Sequence, residues 1–283
     1  MFALVVSATN SSVAQIHHSQ FSIIMDVANG ANAWTLTGSI AELNLGAFSA
    51  RVDVSRPELG LQCVAFNCRP LDAQLLRVES DAMVQTARSW PVADTYVRGS
   101  DLIATYRPRD DWPYSPQVYW QADASQSSGE WLASFCLFVS VETHLLDTWP
   151  RVSVRSFTTA EETIYITARD GGADHRAAPL APLKPGQHTL HPSTGPSCVL
   201  QRLPGGQLSY AEIMPASDFR ELVVERDAAD RCETHWTLFA DFLEKGVIWR
   251  ARLQSILLPR ARDVELALAC CRALEQRPLP LTT

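Results

Sequence analysis

The tripeptide Glu-Thr-His occurs twice in this sequence, as Glu142-Thr-His144 and as Glu233-Thr-His235. Each copy lies in or at the end of a predicted β-strand, where residues i and i+2 face the same side about 6–7 Å apart. A carboxylate and an imidazole at that spacing could transfer protons at two points of one substrate, or bind a metal ion. If the two strands meet, both pairs share one site. The alternative is that the four groups lie on separate solvated strand faces.

An aromatic loop is the second candidate site, because seven of the fourteen Trp and Tyr residues fall between positions 90 and 120. Within it, Asp110, Asp111, Trp112 and Tyr114 stand together on a proline-rich segment. Rings of this kind stack on the C–H face of a sugar while carboxylates accept its hydroxyl protons. A carbohydrate-binding or protein-binding loop predicts that both rings are exposed. The commoner alternative is that they fill the core.

Neither the histidines nor the cysteines form a pattern that is typical of a metal site. The pair His188-x-x-His191 lacks the helical context that would bring this spacing onto one face, and no Cys-x-x-Cys pair occurs. The chain also has no G-x-G-x-x-G turn, no phosphate-binding P-loop and no G-x-S-x-G elbow. We therefore predict that the protein uses neither a metal nor a cofactor.

Overall charge argues against nucleic acid as a partner, because 24 basic and 31 acidic residues give a formal net charge of -7. No run of residues approaches the roughly 18 consecutive apolar positions of a membrane span. The apolar residues 1–8 lack the charged segment that precedes the core of a signal peptide, so they are predicted to form a strand. We expect a cytoplasmic protein without nucleic-acid or membrane partners.

Alternation of apolar and polar residues predicts most of the chain to be β-strand. Between Phe48 and Val54 every second residue is apolar, and the same pattern recurs in short segments along the sequence. This predicts an all-β fold, a large antiparallel β-sandwich that could be a supersandwich. One segment differs, since apolar residues from Val264 to Leu274 recur at helical spacing. It predicts a C-terminal helix with Asp263 as its N-cap.

The stretch from 170 to 196 leaves the domain organisation open. Five prolines and four glycines interrupt any regular pattern there. We predict a single sandwich domain over residues 1–283. The alternative is a boundary within 170–186 that separates residues 1–169 from residues 187–283.

Three strings, at 95–106, 208–214 and 242–252, resemble segments of a bacterial protein family to which no activity is assigned. The number of strands over this length is also similar to the supersandwich of galactose-mutarotase-like proteins. That second resemblance implies a sugar-converting activity that uses a His acid and a Glu base. It covers architecture only, because no motif transfers those roles to particular residues of this chain.

Three functional hypotheses remain open. The first is a non-catalytic sandwich that binds carbohydrate or protein through the aromatic loop. The second is a mutarotase-like sugar isomerase, in which a histidine protonates the ring oxygen and a glutamate takes the anomeric proton. Its candidate residues are His144 or His235 as the acid and Glu142, Glu212 or Glu233 as the base. The third is a structural or assembly role, in which an exposed apolar patch forms a homo-oligomer.

Overall fold

Antiparallel β-sheet dominates the described part of the molecule. The computed structural model describes residues 33–80, 89–109, 112–123, 131–167, 181–192 and 197–276. The N-terminal strand that was predicted at residues 1–8 lies outside the described residues.

The described strands form three sheets, in which all neighbouring strands are antiparallel. Sheet I has the order β1 (Trp34–Thr37), β2 (Ile40–Leu45), β3 (Phe48–Asp53), β4 (Gln62–Phe66) and β5 (Arg69–Pro70). Sheet II has the order β12 (Glu162–Thr167), β14 (Ser197–Arg202), β15 (Leu208–Met214), β18 (Ile248–Pro259), β10 (Ala133–Glu142), β9 (Ser115–Asp123), β8 (Asp101–Tyr106) and β7 (Val92–Arg98). Sheet III has the order β13 (Gly186–Leu190), β16 (Glu221–Arg226), β17 (Arg231–Phe239), β11 (Val152–Thr159) and β6 (Ala73–Ser80).

Two layers enclose the main hydrophobic core. Sheet I joins sheet III through a backbone pair, in which the Leu61 amide donates to the Leu75 carbonyl at 2.6 Å and the Leu75 amide donates back at 3.2 Å. Sheet II packs against this combined layer, as the Phe48 and Phe135 rings show with centroids 5.3 Å apart. Because side chains alternate along each strand, every second residue enters this core. The prediction of an all-β sandwich is confirmed.

The C-terminal helix, α1 (Asp263–Gln276), covers part of the outer face of sheet II. Its buried residues include Leu266, Cys270 and Leu274, which pack with strand residues in a second apolar cluster. The prediction that Asp263 is the N-cap is wrong, because Asp263 already has helical dihedral angles. Its buried carboxylate instead accepts two hydrogen bonds from Arg202, at 2.9 and 3.2 Å. Within the described segments, no helix has the length and apolar content that a membrane crossing requires.

Strands from before and after the Pro- and Gly-rich stretch are mixed in sheets II and III. In sheet III, β11 pairs with β17, and in sheet II, β12 pairs with β14. Residues Asn32–Thr283 form one compact unit by their contacts. The domain organisation of the whole chain stays a prediction.

Candidate active site

Strand β17 presents Glu233 and His235 together on the outer face of sheet III. The residues between and beside them, Cys232, Thr234 and Trp236, are fully buried in the sandwich. Glu233 and His235 therefore point the other way, and both are half-buried. The local alternation of the sequence thus places a carboxylate and an imidazole on one solvent-accessible sheet face.

Neighbouring strands add charged residues to the same face. Arg155 of β11 lies directly opposite His235, and Arg77 of β6 lies opposite Arg155. Glu79 approaches Arg77 at 2.8 Å and Arg155 at 3.1 Å, and Arg155 also approaches Glu233 at 3.3 Å. We call these five residues, Arg77, Glu79, Arg155, Glu233 and His235, the sheet III polar face. Its ion pairs hold both carboxylates in defined positions across three strands.

A buried carboxylate supports β17 from inside the sandwich. Glu212 of β15 is fully buried and accepts hydrogen bonds from Thr234 Oγ1 at 2.7 Å and Trp236 Nε1 at 2.8 Å. The Tyr210 hydroxyl donates to its other oxygen at 2.8 Å and contacts Ser255 at 3.0 Å. Burial, with the nearby charge of Glu212, raises the pKa of Tyr210 well above its usual value. The two residues that flank His235 in β17 are thus tied to sheet II.

The sheet III polar face combines the groups that acid–base chemistry on a polyhydroxylated substrate needs. Glu233 can accept a proton, and the imidazole of His235 can carry and donate one. Arg77 and Arg155 present several N–H donors for hydroxyl oxygens, while Glu79 fixes both guanidinium groups.

The structure does not bring the two Glu-Thr-His copies together. Glu142 ends β10 in sheet II, and His144 follows it in an exposed loop. Val139 and Val141 of β10 face the core, so Glu142 lies on the outer side of sheet II. Glu233 and His235 lie on the outer side of the opposite layer. The hypothesis that the two copies share one site is therefore wrong, and the alternative of separate positions holds.

The position of Glu212 contradicts its assignment as a base that meets the substrate. Its side chain has no exposed surface and lies between the two layers. Of the predicted bases, Glu233 is the one that shares a face with a predicted acid, His235.

The aromatic loop does not expose its rings. Trp112 is 0% exposed and Tyr114 is 5% exposed. Trp112 packs edge-on against both Trp90 and Tyr114, with centroids 4.6 and 5.4 Å apart, and the Tyr114 hydroxyl hydrogen-bonds to Ser80 at 2.7 Å. The expectation that these rings form a ligand platform is wrong, because they fill the core. Asp110 and Asp111 lie outside the described residues.

A second polar group lies on the outer face of sheet II, away from α1. The Tyr119 hydroxyl donates to Asp101 at 2.5 Å, and Gln121 reaches the same carboxylate at 3.3 Å. Burial and the bond to Asp101 raise the pKa of Tyr119 to about 12. In the described segments, no cluster of three or more His, Cys, Asp or Glu side chains could hold a metal ion.

The sequence patterns do not predict the two arginines or Glu79 of the sheet III polar face. The sequence does indicate the orientation of one of them, because the alternating segment from Val152 to Phe157 places Arg155 on a polar strand face. The pairing of that strand with β17 and β6 could not be inferred from spacing.

The fold is a galactose-mutarotase-like β-sandwich. A candidate aldose 1-epimerase from Klebsiella pneumoniae subsp. pneumoniae superposes with a TM-score of 0.51 at 8% sequence identity, covering 82% of this chain and 83% of that one. At that identity the likeness concerns the fold alone. No protein-family model matches the chain, and no curated protein matches it by sequence.

Two longer proteins give weaker superpositions. An α-galactosidase from Geobacillus stearothermophilus has a TM-score of 0.44 at 10% identity, covering 83% of this chain and 42% of that one. A heparan sulfate lyase from Pedobacter heparinus has a TM-score of 0.35 at 8% identity, covering 81% of this chain and 36% of that one. This chain spans less than half the length of either protein.

Proposed function

We propose that this protein binds an aldose sugar on the sheet III polar face and catalyses the exchange of its two anomers. The observation that carries the proposal is the shared, open face of Glu233 and His235, with Arg155 opposite His235 and within ion-pair distance of Glu233. The galactose-mutarotase-like fold adds support, because the similar Klebsiella protein is described as a candidate aldose 1-epimerase.

The reaction needs one acid and one base, and it needs no other reactant. Glu233 accepts the proton of the anomeric hydroxyl while protonated His235 donates a proton to the ring oxygen, and the C1–O5 bond breaks. The open-chain aldehyde turns about its C1–C2 bond. The two proton transfers then run in reverse, the ring closes on the other face of the carbonyl, and both side chains regain their starting states.

The geometry of β17 favours this assignment of Glu233 as the base and His235 as the acid. The ring oxygen and the anomeric hydroxyl are attached to the same carbon, so an acid and a base on adjacent same-face positions of one strand can flank them. The ion pair with Arg155 positions the Glu233 carboxylate, which is one-third exposed and therefore accessible. Arg77 and Arg155 can donate to the remaining sugar hydroxyls.

Polarimetry tests the proposal directly. Freshly dissolved α-D-glucose and α-D-galactose should reach anomeric equilibrium faster with the wild-type protein than in buffer alone. Glu233→Gln and His235→Gln should each reduce the catalysed rate by at least about 100-fold. The loss from Glu233→Gln should not come from unfolding, because an ion pair this exposed contributes at most about 1 kcal/mol.

His188→Gln is the matched control. His188 also lies in sheet III, in β13, and bonds to the Lys184 carbonyl at 2.8 Å. This variant should retain the wild-type rate. A wild-type protein that leaves the rate of both sugars unchanged would contradict the catalytic proposal, and absence of any sugar binding would contradict the carbohydrate assignment as well.

A further inference from the structure

An aromatic ring, that of Phe157, lies on the same outer side of sheet III as the sheet III polar face. The residues beside it in β11, Ser156 and Thr158, are buried in the sandwich, so Phe157 points outward. Its side chain is half-buried, and among the described residues it packs with neither of the two buried hydrophobic clusters. A phenyl ring is thus held among polar side chains at the surface.

Strand pairing places this ring beside the proposed acid and base. Phe157 lies directly opposite Glu233, which puts their Cβ atoms about 4.5–5.5 Å apart. His235 is its diagonal neighbour on the same face, at about 7–8 Å. On the other side of the ring lies Gln74 of β6, whose side-chain amide donates to the Leu59 carbonyl at 2.9 Å. A molecule held by Glu233 and His235 can therefore also contact the ring.

A β-bulge in β6 keeps the ring and the arginines on one face. The register of β11 and β6 shifts beside Phe157, where Leu76 has a left-handed φ of 56° and its amide donates to the Ser156 hydroxyl at 2.8 Å. Because of this extra residue, Gln74 and Arg77 both face outward, although residues three apart in a regular strand face opposite sides. The strained backbone of Leu76 thus completes the face around the ring.

We propose, on the basis of the function proposed above, that Phe157 is the platform on which the sugar ring stacks. A pyranose is amphipathic, because its ring C–H bonds form an apolar face and its hydroxyls project from its edge. Stacking on Phe157 covers the C–H face, while Glu233 and His235 reach the anomeric centre at the edge. The contact also removes the exposed part of the phenyl ring from water, which favours binding.

This stacking defines the class of sugar that the site accepts. Close contact with a flat ring needs a pyranose face that carries no axial hydroxyl on carbons 2 to 5. D-Glucose, D-galactose and D-xylose each have such a face, whereas D-altrose in the same chair has an axial hydroxyl on both faces.

Charge argues against an acidic sugar. The sheet III polar face sets Arg77 and Arg155 against Glu79 and Glu233, so these four charges balance. Glu225, which is exposed and lies directly opposite Glu233, adds a negative charge beside them. An anionic sugar therefore gains no net attraction from this face.

Steady-state polarimetry tests the platform. A stack that forms equally with the substrate and in the transition state lowers KM and leaves kcat unchanged. Phe157→Leu keeps an apolar side chain but removes the flat ring, and it should raise the KM for D-glucose at least about threefold. Phe157→Tyr keeps the ring and should leave both constants within about twofold of the wild type. Phe242→Leu is the matched control, because it makes the same change at an exposed ring beyond the end of β17, and it should leave KM unchanged.

Proton NMR gives a second readout that misfolding cannot imitate and that does not depend on catalysis. Methyl β-D-glucopyranoside cannot exchange its anomers, and its ring C–H protons should shift upfield when the phenyl ring covers them. Phe157→Leu should abolish these shifts and Phe157→Tyr should retain them. The corresponding D-altroside should show no such shifts with the wild-type protein.

The outcomes separate this inference from the proposed activity. Upfield shifts that require Phe157, in a protein without catalysis, would support the platform and contradict the exchange of anomers. Intact catalysis with a KM for Phe157→Leu within about twofold of the wild type would overturn the platform and leave the activity in place. Upfield shifts that persist in Phe157→Leu, or an altroside that binds as tightly as the glucoside, would also overturn it. Absence of binding by either glycoside or by D-glucose would contradict both proposals.

Discussion

Glu212 should stabilise the sandwich through its hydrogen bonds. Substitution by alanine and by glutamine separates the loss of these bonds from other effects of changing the side chain. Glu212→Ala removes the acceptor of Thr234 and Trp236, which are bonded at 2.7 and 2.8 Å inside a fully buried site. Tyr210 can still bond to Ser255 at 3.0 Å. Two buried donors therefore lose their partner.

The expected magnitude follows from these contacts. Each orphaned buried donor costs about 1–3 kcal/mol, and the cavity left by the truncated side chain adds to this. The alanine variant no longer has to bury a carboxylate, which is itself unfavourable, and this offsets part of the lost free energy of unfolding. We expect Glu212→Ala to lower the free energy of unfolding by between about 2 and 5 kcal/mol.

Glu212→Gln should cost less than about 1.5 kcal/mol. Its amide oxygen can still accept from Thr234 and Trp236, and its NH₂ group would face the Tyr210 hydroxyl, which can turn to accept. Glu225→Ala is the control for an exposed glutamate and should change stability by less than about 0.5 kcal/mol.

Urea unfolding followed by tryptophan fluorescence measures all three variants, with an unchanged m-value as the sign of an intact native state. An alanine variant within about 1 kcal/mol of the wild type would refute the reasoning. A glutamine variant as unstable as the alanine variant would also refute it, because the hydrogen bonds would then not be the cause.

Three further predictions concern the backbone, one tyrosine and the helix. Gly60→Ala should destabilise by at least about 3 kcal/mol, because the added Cβ would collide with the backbone of β6, whereas Gly99→Ala, with similar φ and open space, should cost only about 1 kcal/mol. Native Tyr119 keeps its proton between pH 10 and about 12 while the unfolded chain loses it, so the free energy of unfolding should fall as pH rises through that window. Tyr119→Phe should flatten that fall in urea titrations. Asp263→Asn should cost about 1–3 kcal/mol in the same assay, because an amide turns one N–H donor toward Arg202; a loss below about 0.5 kcal/mol would contradict this account of α1.

Local patterns in the sequence predict the fold well because strand and helix periods are local properties. The alternation around Phe48 and Arg155 and the helical spacing from Val264 to Leu274 all correspond to elements of the structure. The prediction of Asp263 as the N-cap was wrong because local spacing cannot show that its carboxylate binds Arg202, which lies 61 residues away in the sequence.

The candidate site is predictable only in part. Period-two alternation places Glu233 and His235 on one face. Arg155 and Arg77 join that face through two strand pairings, each of which links residues about 80 positions apart in the sequence. Composition likewise cannot show which rings are buried. Trp112 is covered and Trp149 is exposed because of packing that distant segments provide.

Histidine-selective NMR tests the central claim, that a sugar binds beside His235, most directly. With ¹³C-labelled histidine, the His235 resonance should shift in a saturable way as D-galactose or D-glucose is added, while the His144 and His188 resonances stay in place. The His235→Gln variant assigns the signal. A His235 resonance that does not move at saturating sugar, or a shift confined to His144, would show that the sheet III polar face is not the binding site.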